Sequence, residues 1–409
     1  MNIVLEPGAA ALLDELHRAG FGAYAVGGCV RDSLLGLAPH DWDLCTAARP
    51  GQVMELFGED RCIPTGLQHG TVTVKRDGKL YEITTFRTEG RYSDGRHPDS
   101  VAFVPDLRED LARRDFTINA MAYSAEEGLC DPFGGREDLA RGVVRAVGEP
   151  LRRFGEDALR ILRLYRFAAR FGFAIDEATE AAAKQLAYHL DCVSAERIEE
   201  ELNKLLAAPQ PGAYLEPEVL AFVLPELPPE ELTKARRRID ALPAGTEQVS
   251  ARWAALLLPL GETGARKALK RLKCSNARID GAAALVRECG EKTPDTLDKC
   301  DLRLQAKRLL GKYDLHTVQQ LTALWTALAP EEKASFDALR AEAEALTAQG
   351  VCCRISQLAV NGRDLMAAGA APGPGLRRVL EALLEEVITG RLPNEKTELL
   401  AFAAGFSAS

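Results

Sequence analysis

The stretch "GGCVRDSLLGLAPHDWDLCT", Gly27 to Thr46, sets two glycines and an arginine ahead of two aspartates one residue apart. Glycines let a backbone approach a bulky ligand, and Arg31 carries a fork of donors suited to phosphate oxygens. If "DWDLCT" is extended, its side chains alternate, so Asp41 and Asp43 share one face while Trp42 and Leu44 turn into the protein. Two carboxylates side by side repel each other unless a cation lies between them. The simplest resolution is a hydrated divalent metal carrying a nucleoside triphosphate, with Gly27, Gly28 and Arg31 holding the phosphates.

The rest of the chain can bury a core around such a site. It has 409 residues, 46% hydrophobic and 27% charged, which predicts two or more globular domains. No stretch approaches the roughly 18 apolar residues of a membrane span, and the start lacks a basic region leading into an apolar one. Both observations predict a cytoplasmic protein without membrane contact. Ten cysteines form no CxxC pair and no zinc-spaced cluster with histidine, so reduced thiols in packed positions are expected. A net charge of -9 argues against a protein that coats nucleic acid everywhere, while leaving room for a local basic face.

Periodicity predicts a helix over residues 1–20, a strand at "GAYAVGG", and β-rich runs at "DWDLCT", "HGTVTVKRDGKLYEITTFRT" and "SVAFV", with Asp77-Gly78 as a hairpin turn. "TEGRYSDGRHPDS", residues 88–100, reads as a mobile polar loop. Helical patterns are expected from Asp106 to the end. The fold class is therefore α+β, a mixed-sheet N-terminal head followed by an all-α neck, body and tail. Expected domains are a head over 1–140, a neck over 141–207, a body over 208–330 and a tail over 331–409. Residues 141–173 hold eight arginines against Glu149, Glu156 and Asp157.

Three further groups carry chemistry. Glu82 in "LYEITTFR" suits a third acid from an adjacent strand, or else a solvent-facing strand residue. In "RRDFTINAMAY", Arg114 would meet a triphosphate or a base, while Asp115, which also suits an N-cap, and Asn119 on the helix that follows could reach a ribose hydroxyl. In "EDALRILRLYRFAAR", Asp157, Arg160, Arg163 and Arg166 recur every three residues. A solvated basic face is the usual explanation of such a stripe. Adenine and cytosine, however, both present an amino donor beside a ring-nitrogen acceptor. The Asp157 carboxylate can accept from the first and the Arg160 guanidinium can donate to the second. Uracil and guanine reverse that order, leaving buried groups unpaired at about 1–3 kcal/mol each. Farther on, "ARKALKRLKCSNAR" puts Lys267, Lys270 and Arg271 on one helical side, as an RNA-binding face or an ordinary solvated helix.

"GGCVRDSLLG…DWDL", "EITTFR", "RRDFTINAMAY", "DPFGG", "EDALRILRLYRFAARFGF" and "SAERIEEELNKLL" resemble, in that order, the signatures of the bacterial class II CCA-adding enzymes and poly(A) polymerases. The resemblance implies a tRNA nucleotidyltransferase using CTP and ATP, with Mg²⁺ as cofactor, tRNA as partner and no obligate protein partner. It implies that Gly28 and Arg31 contact triphosphate, that Asp41 and Asp43 ligate Mg²⁺ and that Arg114 joins the nucleotide site. Asp157 and Arg160 would read the base, supported by Arg163 and Arg166. The loop from Arg87 to Asp99 would switch addition from C to A, "SAERIEEELNKLL" would be helix packing near the neck, and "LAVNGRDLMAAG…PGPGLRRVLEALLEEVITGRLPN" would bind the outer part of tRNA. With no histidine between Leu190 and Leu315, the phosphohydrolase insert of many family members is not expected. Poly(A) polymerase and partial CC- or A-adding enzymes share the head motifs, and a catalytically silent RNA-binding protein would need the basic face without the acids.

Overall fold

A computed structural model describes residues 3–90, 100–291 and 301–406. Residues Met1–Pro225 and Glu226–Ser409 form two compact units. In the first, helix α1 (Pro7–Arg18) starts where Glu6 accepts from the Ala9 amide at 3.0 Å, and it buries Ala9, Leu12, Leu13 and Leu16. Its successor is strand β1 (Ala23–Val26), then α2 (Gly28–Leu34), β2 (Leu44–Thr46), α3 (Pro50–Phe57), β3 (Cys62–Gly66), β4 (Thr71–Arg76) and β5 (Lys79–Thr85). The expected turn joins β4 to β5, with Asp77 and Gly78 both at positive φ (50° and 76°), as a type I′ hairpin requires.

A ribbon of β6 (Arg87–Glu89) and β7 (Val101–Phe103) follows. Of the expected mobile loop, residues 91–99 lie outside the described residues. After α4 (Leu107–Ala112) come β8 (Ala122–Ser124) and β9 (Gly128–Cys130). They complete a seven-stranded sheet in the order β3-β4-β5-β2-β1-β8-β9, in which only β2 and β5 run parallel.

These last strands correct two expectations. The chain does not turn wholly helical at Asp106, and "RRDFTINAMAY" does not open an amphipathic helix. Thr117–Asn119 makes one tight turn, and Ala122–Ser124 enters the sheet beside β1. Every residue from Asp115 to Ser124 is buried, and a run buried on both sides has no period that tells strand from helix.

The first unit continues through α5 (Gly135–Arg141), the short β10 (Val143–Val144), α6 (Pro150–Glu156), α7 (Leu159–Phe171) and β11 (Ala174–Ile175), which pairs with β10. It closes with α8 (Glu177–Gln185), α9 (Ala195–Leu206) and α10 (Pro217–Val223). Among its described residues the second unit contains helices only, from Leu232–Asp240 to Lys396–Phe406. No helix among the described residues is long and apolar enough to cross a membrane.

Gly135 opens α5 against the tight turn, where a Cβ would overlap the Thr117 carbonyl. Backbone cannot swing aside as a side chain can, so Gly135→Ala should destabilise the first unit by about 1–3 kcal/mol. Gly51, with open space around it in the first turn of α3, serves as the control, and Gly51→Ala should stay within about 0.5 kcal/mol of wild type or exceed it. Urea unfolding of both variants checks the contrast.

Candidate active site

Asp41 and Asp43 lie in extended chain just ahead of β2, and exposure alternates as the sequence pattern requires: Asp41 out, Trp42 in, Asp43 out, Leu44 in. The β2–β5 register pairs Leu44 with Ile83, which brings Asp43 beside Glu82, itself exposed between buried Tyr81 and Ile83. Solvent reaches the Asp43 carboxylate, yet so much protein surrounds it that its hydration is incomplete. That desolvation raises its pKa, the negative charges of Glu82 and Asp41 raise it further, and Arg114 pulls it back. An acid held above its ordinary range by desolvation and by neighbouring acids is a place where a cation lowers the energy. Among the described residues no three His, Cys, Asp or Glu side chains converge on one point that could hold a metal ion. Asp41 and Asp43 offer two hard carboxylate donors, a set that would fit a divalent ion whose other positions go to water and substrate oxygens.

Beside the acids, the chain turns at Gly27, whose φ of 77° and ψ of -122° suit glycine alone. A Cβ here would stand 2.8 Å from Nη1 of Arg114, so the guanidinium lies over the turn. Arg114 also approaches Asp110 at 3.5 Å, and its Nε is buried without a hydrogen-bond partner among the described residues. This is the cation the structure does bring to the acidic edge.

Arg31 behaves differently from the expectation that it contacts phosphate. Its side chain is 4% exposed and points inward, donating from Nε to Asp32 at 2.8 Å and from Nη1 to Asn119 at 2.5 Å. The guanidinium lies 5.1 Å and 5.0 Å from the ring centres of Phe167 and Phe171 on α7. A fork suited to phosphate suits a carboxylate equally, and here Asp32, the next residue, holds it.

Asp115 caps no helix. One oxygen accepts from the Phe116 amide at 2.8 Å and from Asn119 Nδ2 at 3.0 Å, while the other accepts from Arg163 Nε at 2.8 Å and Nη2 at 2.5 Å. Burial alone would raise its pKa, but Arg163, Asn119 and Arg160 more than offset this and hold the carboxyl well below the usual range.

The stripe on α7 is mostly engaged rather than solvated. Arg160, 9% exposed, donates from Nη1 to Glu156 at 2.6 Å and to the Arg153 carbonyl at 2.9 Å, and from Nη2 to the Arg113 carbonyl at 3.2 Å. Arg166 donates to Glu201 at 2.5 Å and covers the Phe167 ring at 3.8 Å. Asp157, between α6 and α7, accepts from the Leu159 amide at 3.1 Å and from Arg197 at 2.7 Å. Asp157 and Arg160 thus lie one turn apart, each held by a different neighbour.

Arg197 and Glu201 come from "SAERIEEELNKLL", read from sequence as packing alone. A signal for Glu201 was present: it falls on the buried stripe of α9 with Ile198, Leu202 and Leu205, where a charge needs a partner. In the second unit, Lys267 and Lys270 are exposed on the helix Gly261–Arg271, whereas Arg271 makes a two-point contact with Glu226 at 2.7 and 2.8 Å.

Comparison with known proteins places these features. Residues 23–145 match the family model described as the Poly A polymerase head domain, residues 172–228 one for the RNA- and SrmB-binding site of polymerase A, and residues 245–403 one for tRNA nucleotidyltransferase domain 2. The CCA-adding enzyme of Limosilactobacillus fermentum is 38% identical, over 96% of this chain and 95% of that protein. That of Geobacillus stearothermophilus is 37% identical over 96% and 95%. The crystal structure of the Bacillus stearothermophilus CCA-adding enzyme in complex with CTP superposes with a TM-score of 0.81 and 34% identity, covering 99% of this chain and 98% of that one.

The raised pKa of Asp43 has a consequence for the metal-free protein. Its folded pKa exceeds its unfolded one, so the protein loses stability as pH rises through that interval. Asp43→Asn removes the penalty and should raise the unfolding temperature in chelator at about pH 7.5 by about 1–3 °C, with the gain fading at acid pH as wild-type Asp43 takes up its proton. Thermal unfolding at both pH values tests this, and no gain at the higher pH contradicts it.

Proposed function

The chain belongs to the family of CCA-adding enzymes, and on that premise we propose that it builds or repairs the 3′-terminal CCA of tRNA from CTP and ATP, releasing pyrophosphate without a nucleic acid template. The observation that carries the reading is the meeting, within one compact unit, of the exposed acids Asp41, Asp43 and Glu82 with the Gly27 turn and Arg114.

Asp41 and Asp43 would hold Mg²⁺, which when bound lowers the pKa of the terminal tRNA hydroxyl and neutralises charge on the triphosphate. The turn at Gly27 and Gly28 leaves room for the triphosphate, and Arg114 adds positive charge where phosphate oxygens lie. Asn119 is buried, with its amide bonded to Asp115 and Arg31, so it braces the site from within and leaves the ribose to other groups. For the base, Asp157 accepts from the amino group of cytosine or adenine and Arg160 donates to the ring nitrogen. Both keep capacity for this: a carboxylate has about four lone-pair sites, and the bonds of Arg160 use three of its five N–H groups. Arg163 and Arg166 hold the helix. In the second unit, Lys267 and Lys270, with Arg271 beside them, would meet phosphates of the tRNA body. The protein works in the cytoplasm, where its nucleotides and tRNA are found.

Incubation with tRNA lacking its last three nucleotides, followed by sequencing of the products, tests the reading. CTP alone should give CC and both triphosphates CCA, whereas a run of A from ATP alone would identify a poly(A) polymerase. Asp41→Ala and Asp43→Ala should each reduce addition below about 1% of wild type with tRNA affinity within a few fold, because the acids act on chemistry and not on docking. Substantial addition by both variants contradicts the assignment.

A further inference from the structure

Asp32 has no place in the chemistry described so far, yet it lies 6% exposed at the centre of a ring of contacts between α2 and α7. One oxygen accepts from Arg31 Nε at 2.8 Å and Nη2 at 2.7 Å. The other accepts from Arg170 Nη2 at 3.2 Å, across 138 residues of sequence. Arg170 also covers the Phe171 ring at 5.0 Å, and Phe171 stacks on Phe167 with planes 5° apart.

The tether matters because of where it falls. Arg163 already attaches α7 to Asp115. Arg170 is seven residues farther on, two turns and about 10 Å along the same face. Arg166 ties α7 to α9, but toward the acidic edge and the glycine turn one attachment would let the helix pivot, whereas two on one face fix its tilt and its rotation. The first attachment leads to the segment that bears Arg114, and the second to the helix that begins at the glycine turn. A base-reading pair must hold its groups within about 0.5 Å of the productive geometry relative to a triphosphate bound elsewhere.

We infer that Asp32, through Arg170, is a positioning residue for base selection, setting α7 at one orientation to the glycine turn so that Asp157 and Arg160 meet the edge of a base whose phosphates lie at that turn. The inference rests on the base-reading role proposed above. With Asp32 neutralised, α7 keeps its contacts with Asp115 and Glu201 but loses the tie between its last turn and α2, so the fit to the base edge loosens while the acids stay in place.

Single-turnover addition of each of the four triphosphates, to tRNA lacking its last three nucleotides and to tRNA lacking only the terminal A, reads this directly. Asp32→Asn should lower the preference for C over U, and for A over G, by about tenfold. Arg170→Gln should do the same, and the double variant should fall little further, since both changes cut one link. Arg170→Lys, which retains a cation able to reach Asp32, should keep most of the preference. A merely structural role would reduce the reacting fraction and leave the ratios unchanged, and that result in both single variants overturns the inference. Should Asp32→Asn fail to fold, Arg170→Gln carries the test, because its side chain is 42% exposed. Wild-type protein showing no preference for C and A would instead sink the base-reading role on which the inference stands.

Discussion

The ion pair between buried Asp115 and half-buried Arg163 is the contact on which the site depends. Moving α7 away would leave the buried Asp115 carboxylate without its cation, which opposes any departure of the helix from its place. The seven residues around it touch every part of the site. The Arg113 carbonyl receives Arg160, Arg114 lies over Gly27, Asp115 binds Arg163, and Asn119 accepts from Arg31. A segment that is neither a long helix nor a long strand thus serves as the reference for the acidic edge, the glycine turn and the proposed base-reading helix together.

The arginine excess of residues 141–173 acquires a physical meaning in this light. Arg163 finds Asp115, Arg166 finds Glu201, Arg170 finds Asp32, and Arg145 finds Asp138 and Asp176. All of those acids lie outside the arginine-rich stretch. What looks in sequence like a loose basic surface is largely a set of cross-links waiting for partners brought by the fold. Such cross-links give little net stability when two charges are buried, but each fixes direction as well as distance, as base recognition requires.

How far the sequence anticipated this differs from residue to residue. The alternation around Asp41 and Asp43 was legible because a period of two survives in four residues, and the Asp77-Gly78 turn because few dipeptides tolerate positive φ twice. The placement of Glu82 followed from the same logic once a neighbouring strand was assumed. By contrast, "FTINAMAYS" is buried throughout, its few polar residues included, and carries no clear period, so sequence alone reads the strand at Ala122–Ser124 as helix. Arg31 was assigned to phosphate because a guanidinium shows nothing in sequence of which anion it will meet, and its second partner, Asn119, is 88 residues away. Arg197 was hidden for the same reason: its partner Asp157 is distant in sequence and adjacent only once α9 packs on α7.

The central claim is that groups of this chain, and no nucleic acid template, choose the incoming base by its amino edge. Its most direct test changes the substrate and the protein together. Single-turnover incorporation is compared for CTP and for an analogue in which the 4-amino group is replaced by hydrogen, with wild-type protein and with Asp157→Ala. The account predicts that wild type loses about tenfold or more on the analogue, equivalent to roughly 1.4 kcal/mol, while Asp157→Ala barely distinguishes the two triphosphates. An equal loss in both proteins would contradict it, because the amino group would then be read by something other than Asp157.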